Sequence, residues 1–572
     1  MKPVRLPASA TNALPRWLLL SLCMLYILPG LIRRDPWKSG DDATGFGIMW
    51  TMANGNLNDW LWPHIAGLPM TDKGPLAYWA GAICIELFGG LFGDALAARI
   101  STIVFFLLGC LGVWYTTYLL GRRPEAQPLR LAFGGQPEPK DYGRTLADGA
   151  LLIYLGSLGL LLQSHSTSAE ALQVSLVAIS MYAATRLFES HSLRDAALLG
   201  LLLGLLILTH GWLAPLAIWL GLLTLSSLRE RPLIARLVLM TLPVAALTGA
   251  SWILVCRFVR PYNSSPFDAW MLWNYRQLSA PSWEALKYLF KNAIWIAWPA
   301  WPFAGWALYA WRRQFQAPHV ALPLTFFVST ALLTLLNTRS EPGILIPLLP
   351  PLAILAAFGL PTMKRGAINA VDWFSVMTLS FSACFIWLGW VAKQTGWPAW
   401  LAHNAFKLAP GFKPEFNLTA FLIALSATGS WFVLVQWRIS RQPSVLWRAV
   451  VLSTGGVILC WTLLMTLWLP WINYYKSYAG VAQQIALHLP PVKSCVDSNV
   501  GPSQRASFAY FGQVSFARFD DAHCDFLLLQ DDNRNKADAS LIRRDDTQWK
   551  LLWEGRRPSD RDERYRLYQR IE

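Results

Sequence analysis

Apolar runs recur along the chain, separated by short polar or basic intervals. A bilayer crossing needs about 20 apolar residues, roughly 17 to 25. Runs of this kind occupy 17–32, 97–120, 146–162, 171–187, 196–209, 212–228, 233–255, 293–311, 320–336, 344–360, 374–391, 418–437 and 449–469. The pattern predicts about thirteen transmembrane helices, their ends set to within a few residues. From residue 471 it changes: an amphipathic stretch at 478–489 precedes short apolar runs at 494–496, 526–529, 550–553 and 564–568. Alternation of that kind predicts a small soluble α/β domain of about 100 residues. The chain thus reads as a polytopic α-helical membrane protein, with a transmembrane domain at 1–470 and an α/β domain at 471–572. It carries no internal repeat and no low-complexity tract.

Composition agrees: 54% of the 572 residues are hydrophobic and 15% charged, too apolar for a water-soluble protein. The net charge of +15 sits in short clusters between apolar runs, such as Arg122, Arg123, Arg130, Lys140 and Arg144, or Arg229, Arg231 and Arg236. Clusters so placed are topogenic and face the cytoplasm and anionic lipid; no nucleic-acid partner is expected. Putting all of them inside places the loop at 33–96, a second loop at 257–291 and the C-terminal domain on the outer face. Segment 76–92 is apolar enough to cross, yet crossing would put the Arg122 cluster outside. With Glu86, Gly89, Gly90 and Gly93 it reads as a juxtamembrane helix. The first run lacks a small-x-small cleavage site and reads as a retained anchor. In the second loop, Trp270, Trp273, Tyr275 and Trp283 are expected at the membrane interface.

Eight cysteines form no CxxC or Cys/His array, which argues against structural zinc. Six lie in apolar surroundings, as small buried hydrophobes do. Cys495 and Cys524 lie in the polar C-terminal segment, where they are expected to pair if that segment meets an oxidising compartment.

The first loop is the most informative stretch. It carries Asp41-Asp42, then Asn58-Asp59 and Pro63-His64, then Asp72-Lys73-Gly74-Pro75 before Tyr78-Trp79. Ionisable groups kept beside a bilayer mark chemistry or ion handling. A carboxylate such as Asp41 suits the orientation or deprotonation of an attacking hydroxyl, and Lys73 suits neutralisation of a donor phosphate. The competing reading makes the adjacent aspartates solvated turn or N-cap residues. Elsewhere, His165 and Glu170 fall at an outer helix end, as solvated caps or acceptor contacts. His210 ends an apolar run, as an interfacial histidine or a phosphate contact. Arg99, Arg257 and Arg260 read as snorkelling anchors.

These motifs resemble those of the polytopic glycosyltransferases that use polyprenyl-phosphate sugars, specifically the bacterial aminoarabinose transferases and their relatives in the protein O-mannosyltransferase superfamily, with the GT-C fold. The matching residues are Asp41-Asp42 upstream of Met52, Pro63-His64, Gly67, Asp72-Lys73 with Pro75, Tyr78-Trp79, Leu87-Phe88-Gly89 and Arg99. The run from Ile346-Pro347 to Pro350-Pro351, with Arg339 upstream, resembles the family's Leu-Pro segment. The chain departs from the pattern too. The family's Asp-Glu is Asp41-Asp42, an arginine is Thr44, Glu-Lys-Pro is Asp72-Lys73-Gly74-Pro75, and Thr-Lys-Gly is Thr209-His210-Gly211.

The resemblance implies an enzyme of the bacterial inner membrane, N-terminus cytoplasmic and C-terminal domain periplasmic. It would move one sugar, with inversion, from undecaprenyl phosphate to an envelope acceptor such as lipid A or lipopolysaccharide, another glycan or a protein. Asp41 and Asp72 are then catalytic, Lys73, Arg339 and His210 bind the donor phosphate, and Asp42, His64 and Glu170 serve acceptor binding or loop support. No metal or other cofactor is required, because the leaving phosphate already carries its charge. Asp41, Asp42 and Asp72 are nonetheless oxygen donors of the kind that hold a divalent ion. The expected partners are the lipid-linked donor, membrane lipid and the acceptor, and the chain is expected to be a monomer. The rival class is a transporter or flippase of a lipid-linked sugar, which would place ionisable groups near the bilayer midplane, often in repeated halves.

Overall fold

The computed structural model of the chain describes residues 5–70, 72–131, 134–259, 265–337, 342–440, 445–490, 495–517, 524–532, 549–560 and 562–571. Among them, nine helices are long and apolar enough to cross a membrane: Asp94–Arg122, Ala169–Ser190, Leu193–His210, Pro232–Val259, Pro318–Leu336, Gly343–Thr362, Gly366–Thr395, Leu418–Arg438 and Arg448–Leu467. Shorter apolar helices run over Arg16–Gly30, Leu76–Phe92 and Leu213–Arg229. The expected run at 293–311 is not one helix. It is divided between Trp283–Ile296 and Ala300–Ala310, because Pro299 has no N–H with which to continue the ladder.

The elements that build the site are α1 (Asp42–Ala53), α2 (Leu76–Phe92), α3 (Asp94–Arg122), α4 (Ala169–Ser190), α5 (Leu193–His210), α6 (Ser265–Arg276) and α7 (Pro502–Phe511), with the hairpin β1 (His64–Ile65) and β2 (Leu68–Pro69). Helices in lipid gain little from hydrophobic burial against one another and associate through close packing. At the α3–α4 contact a methyl group on Gly112 would fall 2.7 Å from the carbonyl carbon of Ala178, so only glycine lets these backbones approach. Every residue from Leu349 to Gly359 is buried, and Pro350 and Pro351 sit in the first turn of that helix, where a missing N–H costs nothing.

Helix α2 starts beside Lys73 and leads directly into α3 at Asp94, whose carboxylate accepts from the Trp50 indole of α1 at 3.1 Å. Five residues further on, Arg99 reaches Asp42. Both ends of α2 are therefore tied to the segment that carries Asp41 and Asp42. In the second loop, Trp270 and Trp273 of α6 do not lie at an interface. They are buried with Trp252 and Leu208, because α6 folds back onto the end of α5, whereas Tyr275 and Trp283 are exposed.

Past residue 470 the expected alternation of helix and strand takes shape. Strands β3 (Val496–Ser498), β4 (Phe526–Asp532), β5 (Trp549–Gly555) and β6 (Glu563–Arg570) form a sheet of order β3-β4-β6-β5. β3 and β4 are parallel and the other pairs antiparallel. Helix α7 lies in the β3–β4 connection, and Phe508, Leu528, Tyr565 and Leu567 form the core of this unit. Cys495 and Cys524 are disulfide-bonded, closing a separation of 29 residues beside the parallel strand pair.

That bond should be visible without reductant: peptide mapping of alkylated protein is expected to recover Cys495 and Cys524 as one linked peptide. Cys495→Ser should lower the stability of the C-terminal unit by about 2–5 kcal/mol, read from its unfolding transition. Quantitative alkylation of both thiols in unreduced protein would refute the pairing.

Candidate active site

The site is organised around a buried charge. Asp42 has no exposed surface, and both its carboxylate oxygens are engaged. One accepts from the Arg34 guanidinium at 2.9 Å, the Trp37 N–H at 3.1 Å and Arg99 at 3.3 Å. The other accepts from the Thr167 N–H at 2.9 Å and lies 3.0 Å from its hydroxyl. Arg34 also donates to the carbonyl of His165 and stacks over Trp37, while Arg99 donates to the carbonyls of Arg34 and Asp35. Burial alone would raise the Asp42 carboxyl, but the two arginines and two backbone N–H groups outweigh it and hold the group to about 2. Arg99 is thus no snorkelling anchor: it is fully buried, and the nearby carboxylate removes any reason to reach for water. His165 and Glu170 are likewise buried rather than solvated caps, since the 163–168 turn is covered by Arg34 and Asp42.

Fixing Asp42 aims its neighbour the other way. Asp41 adopts a left-handed backbone, φ 56°, and its side chain makes no capping bond to α1. It points instead to Lys73, whose ammonium donates to Asp41 at 2.8 Å and to Glu170 at 2.6 Å. Burial pushes the Lys73 ammonium down, yet Glu170, Tyr78 and Asp41 hold it well above its ordinary value. Lys73 is therefore a permanent cation and no base. Asp41, Thr44, Asp72, Lys73, Tyr78 and Ser503 line one cavity of about 250 Å³.

Lys73 is placed by the chain on either side. The Gly74 N–H bonds the Thr209 carbonyl at 3.1 Å, and a Cβ on Gly74 would stand 1.9 Å from the Leu208 carbonyl oxygen. The inserted glycine of Asp72-Lys73-Gly74-Pro75 is what lets this loop dock on the end of α5. There His210 comes within 3.8 Å of Glu170, but it lines a different cavity from Asp41. His64 supports the loop: one ring nitrogen is 2.9 Å from Asp59 and the other accepts the Gly67 N–H at 3.1 Å. The hairpin turn it braces is gripped by Arg505 of α7, which donates twice to the Ala66 carbonyl, at 3.1 and 2.9 Å.

Of the residues singled out from sequence, the structure brings Asp41, Asp72 and Lys73 to one cavity and sets Glu170 behind Lys73. Asp42 and His64 hold the framework, and Arg339 lies outside the described residues. Asp41, Asp42 and Asp72 do not form one donor set, because both oxygens of Asp42 are spent on arginines and Thr167; among the described residues no group of three His, Cys, Asp or Glu is placed to hold a metal. Sequence reasoning missed Arg34, Lys38 and Ser503. Arg34 follows Arg33 just after the first apolar run, and nothing in that spacing marks it as a partner of Asp42. Lys38 reaches the same cavity and is ion-paired with Glu563 of β6, a partner more than 500 residues away that no local pattern reveals.

This is a polytopic helical membrane protein with a charged cavity at one end of its bundle, closed by a strand-containing C-terminal unit. No protein-family model matches the chain. It is 28% identical over 371 residues to an undecaprenyl phosphate-alpha-4-amino-4-deoxy-L-arabinose arabinosyl transferase of Pseudomonas fluorescens strain Pf0-1, covering 60% of this chain and 58% of that one. Against the corresponding transferase of Pseudomonas aeruginosa strain LESB58 it is 26% identical over 430 residues, 70% of this chain and 67% of the relative. The match to the first relative thus spans less than two thirds of its length. In fold the chain is similar to ArnT from Cupriavidus metallidurans, solved bound to undecaprenyl phosphate, with a TM-score of 0.66 and 15% identity over 96% of this chain and 97% of that one. In sequence the chain is thus similar to these arabinosyl transferases, and in fold to ArnT.

Removing one partner from a buried ion pair costs about 3–5 kcal/mol, and Asp42→Asn is expected to lose that much at neutral pH. The folded carboxyl, at about 2, lies below its ordinary 3.8, so its contribution is complete above roughly pH 4 and is lost as the pH falls through about 2. Chemical unfolding of both proteins across that range checks this. A difference that stays constant down to pH 2 would assign the loss to packing instead.

Gly74→Ala should displace Lys73 and cut activity while leaving the melting temperature of the C-terminal unit unchanged. Wild-type activity in that variant would show that the Gly74 contact does not place Lys73.

Proposed function

We propose that this chain is a glycosyltransferase that moves one sugar, with inversion, from undecaprenyl phosphate to an envelope acceptor such as lipid A or lipopolysaccharide, another glycan or a protein. The observation that carries the reading is the Lys73 ammonium shared between Asp41 and Glu170 at the wall of a polar cavity. It sets a permanent cation beside an exposed acid, as a phosphate leaving group and a hydroxyl nucleophile require. The names of the relatives, and the lipid bound to the Cupriavidus protein, support the donor class. Against a transporter, the charged groups gather at one end of the bundle rather than near its middle.

In this reading the donor phosphate takes the place of Asp41 beside Lys73. The freed carboxylate accepts the acceptor's hydroxyl proton as the oxygen bonds to the anomeric carbon. The bond from that carbon to the phosphate oxygen breaks, the electron pair leaves with the phosphate, and Lys73 meets the charge. Asp72, on the same cavity wall, orients the acceptor. Arg339 and His210 are assigned to the donor phosphate on the family resemblance. No step is routed through a metal.

The same proposal places thirteen crossings in the bilayer, the N-terminus in the cytoplasm, the C-terminal domain in the periplasm, and a monomer in the membrane. Arg99 near one end of α3 meets Asp42, whereas Arg122 at the other end adjoins the basic loop, where the Ala8 N–H bonds the Gly135 carbonyl. The N-terminus and that loop thus share the end of the bundle opposite the cavity.

Asp41→Asn should slow sugar transfer from an undecaprenyl-phosphate donor by about a hundredfold to ten-thousandfold without altering the melting temperature, and Lys73→Ala should weaken donor binding. Near-parental turnover in purified Asp41→Asn would remove it from the chemistry. In intact spheroplasts an impermeant thiol reagent should label Asn56→Cys and spare Gln136→Cys. The opposite pattern would invert the topology.

A further inference from the structure

Tyr78 lies on the wall of the cavity that holds Asp41 and Lys73, and the transfer described above gives it no part. The chain on either side fixes its place. It is the third residue of α2, between the Gly74 N–H, which bonds the Thr209 carbonyl, and the Trp79 indole, which donates to the Trp60 carbonyl at 2.6 Å. Less than one turn further on, a Cβ on Gly81 would stand 2.2 Å from the Met49 sulfur, so the glycine lets α2 close on α1, whose Thr44 and Ile48 line the same cavity. Tyr78 is 4% exposed, and the packing around it leaves the ring little freedom to turn.

A tyrosine hydroxyl in such a place usually finds a hydrogen-bond partner. Lys73 cannot accept its proton, because an ammonium only donates, and the Lys73 bonds go to Asp41 and Glu170. Burial raises the hydroxyl above its ordinary range; Lys73 draws it down, and Glu170, Asp41 and Asp72 raise it again, so the phenol keeps its proton. Tyr78 thus brings a neutral hydrogen-bond donor to a cavity where Lys73 brings a charge.

The proposed transfer has a use for such a donor. As the bond from the anomeric carbon to the phosphate oxygen breaks, the electron pair stays on that oxygen, and the phosphate passes from one negative charge to two. Lys73 meets this charge with its ammonium already paired to Glu170. A fixed neutral donor stabilises the oxygen where charge appears and needs no counter-ion of its own.

We propose that Tyr78 is a further catalytic residue, whose hydroxyl donates a hydrogen bond to the phosphate oxygen that leaves the anomeric carbon. The phenol keeps its proton throughout, since the acceptor's proton passes to Asp41. This rests on the transferase reading above, with the donor phosphate at Lys73, and adds the group that tells the leaving phosphate from the intact donor.

The test uses the full-length protein in lipid nanodiscs and three lipids: undecaprenyl phosphate, its methyl ester and undecaprenol. The methyl ester caps the oxygen that the sugar occupies in the donor, whereas undecaprenyl phosphate presents that oxygen free and charged. Tyr78→Phe keeps the ring. It should weaken undecaprenyl phosphate by about tenfold or more, the range of a hydrogen bond to a charged group, and the methyl ester by less than about twofold. The retained methyl-ester affinity, with an unchanged melting temperature, also checks folding. An equal loss for both phosphate lipids would mean that the phenol only holds Lys73 or the fold in place, and would overturn the proposal. Unchanged affinity for undecaprenyl phosphate would overturn it as well. Failure of the parent chain to bind each phosphate lipid more tightly than undecaprenol would instead overturn the transferase reading, an outcome distinct from the other two.

Discussion

The arrangement of this molecule depends on one buried carboxylate. Two arginines, one from the chain just after the first helix and one from α3, converge on Asp42, and the 163–168 turn closes over its second oxygen. Three segments distant in sequence are thereby locked at one end of the bundle. A charge so placed repays its desolvation only while every partner is in position, so the cluster specifies a geometry as well as contributing stability. Its consequence for the site is directional: with Asp42 turned inward, adjacent Asp41 takes a left-handed backbone and presents its acid to the cavity.

The C-terminal unit is part of that cavity rather than an appendage. Ser503, in the first turn of α7, lines it, and Lys38 on the opposite wall is held by Glu563, which also accepts from the hydroxyls of Tyr478 and Tyr565. Arg505 grips the hairpin braced by His64 and Asp59. The loop that carries Asp72 and Lys73 is consequently fixed from two directions, by α5 through Gly74 and by α7 through Ala66. Anchoring of this kind would serve the proposed transfer, since a displacement of about 1 Å at reacting groups costs on the order of a hundredfold in rate.

Lys73 illustrates how burial and partners divide a role. Desolvation favours its neutral form, yet the adjacent carboxylates secure the proton, so it serves only as a counter-charge. Glu170 sets the position of that charge from behind and takes no place on the Asp41 cavity wall. Gln173, one turn further along α4, and His210 line a different cavity from the one that Asp41 and Lys73 line.

The amino-acid sequence by itself determined the membrane class, the strand-bearing C-terminal segment, most of the long helices and the loop that holds Asp41, Asp72 and Lys73. Hydrophobic period and charge clustering are local properties, and a bilayer makes them nearly compulsory. Sequence also marked Asp42 and Glu170, but not their burial, and it left Arg99 at the membrane surface. Only the tertiary structure decided these points, because whether a charge is solvated depends on which distant segments close over it. Arg34 on Asp42 and Lys38 on Glu563 arise from contacts across the chain, and no spacing along it encodes them.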